Sequence, residues 1–246
     1  IIKPASRVVT ALQSPDVFDV LQAAADHNES PMTVVGRDVE LLTTTPGVGG
    51  QVIDFRLRNG EYRSIPLPLF GLHQADNAVL AAAAVEQFLG GGEQEIARDV
   101  VEDALAHSIS PGRLQVVSHQ PTVIIDAAHN PHGAESLARA LMQSFQFETL
   151  VVVLGVLRDK DARGIVEALD PLADMFVVTQ SESDRAVPAE DLAEAVVPVA
   201  GPDRTSWREN VVEAIELAQR QAGPDGGVVV TGSVTLIAEA LEWAGR

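Results

Sequence analysis

The sequence predicts an α/β protein in two parts, a mixed amino-terminal region followed by a region built on a mostly parallel, doubly wound sheet. Four continuous apolar runs, Val123-Ile124-Ile125-Asp126, Leu150 to Leu154, Phe176-Val177-Val178-Thr179 and Val228-Val229-Val230-Thr231, read as strands covered on both faces. Amphipathic stretches near 133–145, 161–173, 188–197 and 208–222 alternate with them, and a last helix starts near Val234. This β-then-α rhythm is that of a parallel sheet. The 246 residues, 46% hydrophobic and 21% charged, suffice for two modest domains and exclude a disordered chain or a collagen-like repeat.

In order along the chain, Val8-Val9-Thr10 reads as a short strand, and Ser14-Pro15-Asp16 as a helix start with Ser as cap and Pro at the first helical position. Val17, Phe18, Val20, Leu21 and Ala24 then share one helical face. From Met32 to about Leu69, β-branched runs lie between glycines and read as an antiparallel meander, with Asn59-Gly60 as a hairpin turn. From His73 the sequence reads as helical, alanine-rich over Asn77 to Leu89 and stopped by Gly90-Gly91-Gly92, and a second helix is predicted from about Glu93 to His107. Ser108-Ile109-Ser110-Pro111-Gly112 breaks the pattern, which divides the chain into domains of 1–108 and 109–246.

Seventeen Lys and Arg against 35 Asp and Glu give a net charge of −18, so the average surface repels polyphosphates and anionic lipid. Nucleic acid and membranes are therefore not expected partners. A small anion needs only a local cluster of N–H donors or an arginine and stays possible. The absence of cysteine removes disulfides, thiolate catalysis and Cys-bound metal. No apolar run approaches the roughly 20 residues that span a bilayer, and Ile1-Ile2-Lys3-Pro4 lacks a signal-peptide layout, so the cytoplasm is the expected location. A start at Ile rather than Met, with Lys3 and Lys160 the only lysines, suggests part of something longer.

Ligands of such sheets sit beyond the carboxyl ends of the strands. The residues there are Asp126-Ala127-Ala128-His129-Asn130, Gly155 to Asp161 and Thr231-Gly232-Ser233. Asp126 to Gly133 sets a carboxylate, an amide and two imidazoles beside the positive end of a helix, which suits a ribose and its phosphates. It equally suits a helix cap at Asp126 or Asn130 with exposed histidines. Arg113 could hold a phosphate through its planar fork or form a surface ion pair. His73 and Asn77, one helical turn apart, could face one partner or cap a helix start. Arg158-Asp159-Lys160-Asp161 reads as a solvated turn, and Thr231-Gly232-Ser233 as a strand end with a helix cap. There is no G-x-x-x-x-G-K-[ST] loop, His-Glu-x-x-His pair or G-x-S-x-G elbow, and Gly47-Val48-Gly49-Gly50 lacks the strand-to-helix setting of a dinucleotide fingerprint.

Taken in order, His73-Gln74-x-x-Asn77-Ala78, Pro111-Gly112-Arg113, Asp126 to Gly133 and Gly155-Val156-Leu157-x-Asp159-Lys160-Asp161 resemble the later part of the bifunctional folylpolyglutamate synthase/dihydrofolate synthase family of Mur ligases. The resemblance implies that 1–108 is the latter part of a central ATPase domain and 109–246 a Rossmann-like domain. It implies an ATP-dependent ligase that joins a folate or dihydropteroate carboxylate to L-glutamate through an acyl phosphate, acting as a monomer. Asn77, with His73 nearby, would contact adenine, Arg113 the phosphates, Asp126 the ribose, and His129 the phosphate end as the catalytic candidate. In that family the P-loop lysine, the magnesium ligands and a carbamylated lysine lie upstream of the stretch matched here, so no residue of this chain is assigned to metal. The chain alone is expected not to turn over ATP. A Mur ligase for a cell-wall nucleotide precursor and a noncatalytic nucleotide-binding module are the alternatives.

Overall fold

A computed structural model describes residues 1–90 and 92–245. The chain forms two compact units, Ile1–Ile109 and the part from Ser110 onward.

In the first unit β1 (Val8–Thr10) leads through α1 (Pro15–His27) to β2 (Met32–Val34), which pairs parallel with β1. The expected meander is therefore shorter than 32–69. A helical crossover brings the chain back in the same direction, so the Met32 run cannot be antiparallel to the strand before the helix. Ser14 has extended backbone, but its side chain caps nothing, and the start of α1 rests on Pro15. The antiparallel meander consists of β3 (Glu40–Gly47), β4 (Gly50–Arg56) and β5 (Glu61–Leu67). At the Asn59-Gly60 turn the Leu57 amide donates to the Gly60 carbonyl at 2.9 Å. The buried Glu86 carboxylate accepts from the Asn59 amide at 3.1 Å, tying that turn to α2 (Leu72–Gly90).

Phe55 and Tyr62 stack across β4 and β5 at 5.0 Å, over a core shared with Ala75, Val79 and Ala83 of α2. Burial raises the Tyr62 phenol above its ordinary range, and its hydroxyl donates to the Ile96 carbonyl at 2.8 Å. That contact explains a second difference. The helix expected from Glu93 begins only at Arg98, as α3 (Arg98–Ala106), because Ile96 lies in the core with its carbonyl given to Tyr62 rather than to a helical turn. The helix expected from His73 starts at Leu72 and places His73 and Asn77 on successive turns. Of the expected glycine stop, Gly91 lies outside the described residues.

In the second unit β6 (Gln115–His119), β7 (Thr122–Ile125), α4 (Pro131–Ser144), β8 (Leu150–Leu154), α5 (Ala162–Leu169) and β9 (Met175–Val178) are followed by α6 (Ala189–Ala200), β10 (Thr205–Trp207), α7 (Val211–Ala222), β11 (Gly227–Thr231) and α8 (Val234–Ala244). The sheet runs β10-β9-β8-β11-β7-β6, with every pair parallel except β6 with β7. β11 returns between β7 and β8, so Val228 faces Val123 on one side and Val151 on the other. These valines are fully buried, each contributing about 1.5–3 kcal/mol of apolar burial. Gly227 lets β11 enter the sheet, since a side chain there would meet the Phe147 ring at 2.7 Å. Among the described residues no helix is long and apolar enough to cross a membrane.

Candidate functional site

The carboxyl ends of β7, β8 and β11 are tied together by backbone hydrogen bonds. The Gly232 amide donates to the Ala128 carbonyl at 2.9 Å, and the Gly155 amide to the Thr231 carbonyl at 3.2 Å. Gly232 has φ +114, and a side chain on it would meet the Gly155 carbonyl oxygen at 2.5 Å, so this junction accepts glycine alone. The three segments expected at the strand ends are thus neighbours.

A fourth segment joins them. The loop carrying Arg113 precedes β6 and is stitched to the turn after β7. The Ala127 amide donates to the Gly112 carbonyl at 2.8 Å, and the Leu114 amide to Asp126 Oδ2 at 2.8 Å. Asp126 Oδ1 accepts from the Ala128 amide at 2.8 Å. Asp126 is only 6% exposed. Its carboxylate organises the turn, and the cap of α4 is Asn130, which accepts from the Gly133 amide at 2.8 Å. Arg113 itself is exposed, and its guanidinium makes no ion pair among the described residues. The half-buried His129 holds its ring through Nδ1, 3.0 Å from the Ala127 carbonyl. A carbonyl can only accept, so Nδ1 carries the hydrogen, and in the neutral tautomer Nε2 is the acceptor. The segments that carry Arg113, Asp126 and His129 are therefore brought together at the carboxyl end of β7, ahead of α4.

The Gly155–Asp161 loop is more ordered than a solvated turn. The Arg158 amide donates to the Arg185 carbonyl at 2.9 Å, and its Nε to the Ala186 carbonyl at 3.2 Å. Asp159 pairs with Lys160 at 3.1 Å and Arg185 at 2.6 Å, and those two hydrogen-bonding cations hold its carboxyl below the usual range. Asp161 caps α5 by accepting from the Gly164 amide at 2.9 Å. Ser233 caps α8, accepting from the Leu236 amide at 3.2 Å.

In the first unit His73 and Asn77 share the first turns of α2, with Asn77 exposed and His73 half-buried. His73 has Asp76 beside it, whose carboxyl is raised by burial against the opposing pull of the imidazole. The helix start is anchored by Gln51, a residue that motif reading passed over. Its side-chain amide donates to the Leu69 and Gly71 carbonyls, both at 2.9 Å. A buried glutamine in a strand was the available signal.

A hollow of about 210 Å³ near the carboxyl end of β9 is lined by Glu182, Glu209, Glu239 and Glu242, with Gln180 and Asn210. Its carboxylates disfavour a phosphate there. Burial raises the Glu239 carboxyl, with Glu182 and Glu242 adding to the rise. Among the described residues no group of three His, Asp or Glu is placed to hold a metal ion.

Open parallel α/β sheets bind their ligands beyond the carboxyl ends of the strands, where these loops carry an arginine and a histidine. Residues 112–234 match the family described as Mur ligase, glutamate ligase domain, and the chain belongs to the Mur ligase family. The chain is 42% identical to the dihydrofolate synthase/folylpolyglutamate synthase of Mycobacterium tuberculosis, over 99% of this chain and 53% of that protein. It is 27% identical to the Bacillus subtilis protein of the same name, over 97% of this chain and 55% of that one. The crystal structure of Mycobacterium tuberculosis folylpolyglutamate synthase complexed with ADP superposes with a TM-score of 0.92 at 40% identity, covering 98% of this chain and 55% of the other. E. coli FolC in complex with DHPP and ADP gives 0.82 at 26% identity, covering 99% and 54%. The chain spans about half the length of these relatives.

Proposed function

We propose that this chain forms the later part of an ATP-dependent ligase that joins a carboxylate of dihydropteroate or a reduced folate to the amine of L-glutamate. Residues 1–108 belong to its central ATP-binding domain and 109–246 to its glutamate ligase domain. The observation that carries the reading is the stapling of the Arg113 loop to the Asp126–His129 turn at the carboxyl end of β7. The likeness to the Mycobacterium tuberculosis folylpolyglutamate synthase and to E. coli FolC, both solved with ADP, supports it.

A carboxylate is a poor electrophile, and transfer of the ATP γ-phosphoryl group to it creates an acyl phosphate with phosphate as leaving group. Attack by the glutamate amine then forms the amide. Charge accumulating on the transferring group needs fixed cations. Arg113 supplies one, and His129 Nε2 can accept a hydrogen bond or proton nearby. Asn77 and His73 meet the adenine, and Asp126 lies toward the ribose. Mg²⁺ belongs to the same reaction, while among the described residues no group of three His, Asp or Glu is placed to hold it. We infer a cytoplasmic monomer whose partners are small molecules, with neither nucleic acid nor membrane among them.

The test is ligation by a polypeptide carrying these residues and extended to the length of the relatives. Dihydropteroate or tetrahydrofolate is supplied with labelled glutamate, ATP and Mg²⁺. One phosphate released per amide formed is expected. Amide formation without ATP, or acceptance of only cell-wall nucleotide precursors, contradicts the reading.

A further inference from the structure

Arg113 has no side-chain partner among the described residues, so its position is set by its backbone, and that backbone is unusual on both sides. Gly112 has φ +67 and Leu114 has φ +46. Leu114 is a buried, non-glycine residue in the left-handed region, a conformation that persists only where the surroundings over-determine it. Its amide is directed at Asp126 Oδ2, while the other oxygen of that carboxylate holds the Ala128 amide. Hydrogen bonds from backbone amides to a carboxylate are charge-assisted and strong. One buried carboxylate therefore clamps the left-handed turn after Arg113 to the turn before His129.

We propose that Asp126 is a positioning residue for Arg113, acting through the Leu114 amide, so that its loss weakens the grip on phosphate even when the ligand has no ribose. This rests on the nucleotide-site reading above. It goes beyond a ribose contact, which concerns only the sugar.

The experiment compares inorganic tripolyphosphate, adenosine and ADP as ligands of the 246-residue chain by calorimetry, for the unaltered protein, Arg113→Ala, Asp126→Asn and the double variant. Asp126→Asn keeps the shape but sets an N–H against a backbone amide, so one clamp bond is lost. Both single variants are expected to weaken tripolyphosphate about tenfold, the size of a charge-assisted hydrogen bond lost, and the double variant to be no weaker than the worse single. A fall-off in adenosine and ADP binding with tripolyphosphate unchanged in Asp126→Asn would overturn the inference and leave Asp126 as a sugar contact. Additive losses, showing that Asp126 acts independently of Arg113, would overturn it too. If Arg113→Ala leaves tripolyphosphate binding intact, or the unaltered chain binds none, the phosphate reading beneath it fails instead. Should Asp126→Asn not fold, Asp126→Glu carries the comparison, since its extra methylene displaces the oxygens by about 1.5 Å and breaks the same register. Fast hydrogen exchange at the Leu114 amide of the unaltered chain, with β7 amides protected, would also overturn it.

Discussion

Replacing Gly112 by alanine isolates the requirement that shapes the Arg113 loop. Two costs follow from its environment. At φ +67 a β-carbon meets the left-handed penalty, about 1–2 kcal/mol. That β-carbon would also stand 2.5 Å from Cγ2 of Ile237, a buried residue of α8, and overpacking of this kind costs roughly 1–3 kcal/mol. Together they amount to about 2–5 kcal/mol for a variant that adds one methyl group. The two parts separate in an Ile237→Ala background, which removes the colliding methyl and leaves the conformational penalty. Urea unfolding of the four proteins, followed by circular dichroism, should then show a coupling of about 1–3 kcal/mol between the two sites. An equal cost of Gly112→Ala in both backgrounds would refute the steric argument. A total cost under about 0.5 kcal/mol, the range of an ordinary surface substitution, would refute the whole account of this loop.

Two further outcomes follow from single side chains. Asn130→Ala removes the cap of α4 and should cost about 1 kcal/mol in unfolding free energy, with Asn130→Asp restoring most of it; equal stability of the alanine variant would contradict the cap. The carboxyl of Glu239 is raised in the folded state, so the folded chain holds that proton more tightly and stability falls as pH rises from the ordinary Glu range through the folded value. Glu239→Gln should therefore raise the melting temperature at pH 7, with the gain vanishing below about pH 4. A gain that is larger in acid than at neutrality would reverse the sign of the argument.

The parallel sheet was legible because strands covered on both faces must be apolar without interruption, and Val123–Ile125, Leu150–Leu154 and Val228–Val230 are. β6 escaped notice because its residues are mostly half-buried and carry no run, and β10 because it is three residues long. The partner of Met32–Val34 was misjudged, since β-branched composition marks a strand without saying which neighbour it takes. The site divides in the same way. Asp126, His129 and Asn130 are contiguous after a strand, so their nearness follows from the chain itself. The clamp between Asp126 and Leu114 spans twelve positions and depends on a left-handed leucine that residue type does not announce. Gln51 likewise acts on carbonyls 18 and 20 positions away. The latch of Arg158 onto Ala186 reaches farther still, 28 positions, so the local sequence of that loop reads as a solvated turn.

Titration of the chain with ADP, read by backbone amide and imidazole NMR shifts, tests the central claim most directly. The account predicts saturable shifts at Arg113, Leu114, Ala127 and His129 of the second unit. Shifts confined to the acidic hollow around Glu182, Glu209 and Glu239, with the Arg113 loop silent, would contradict it.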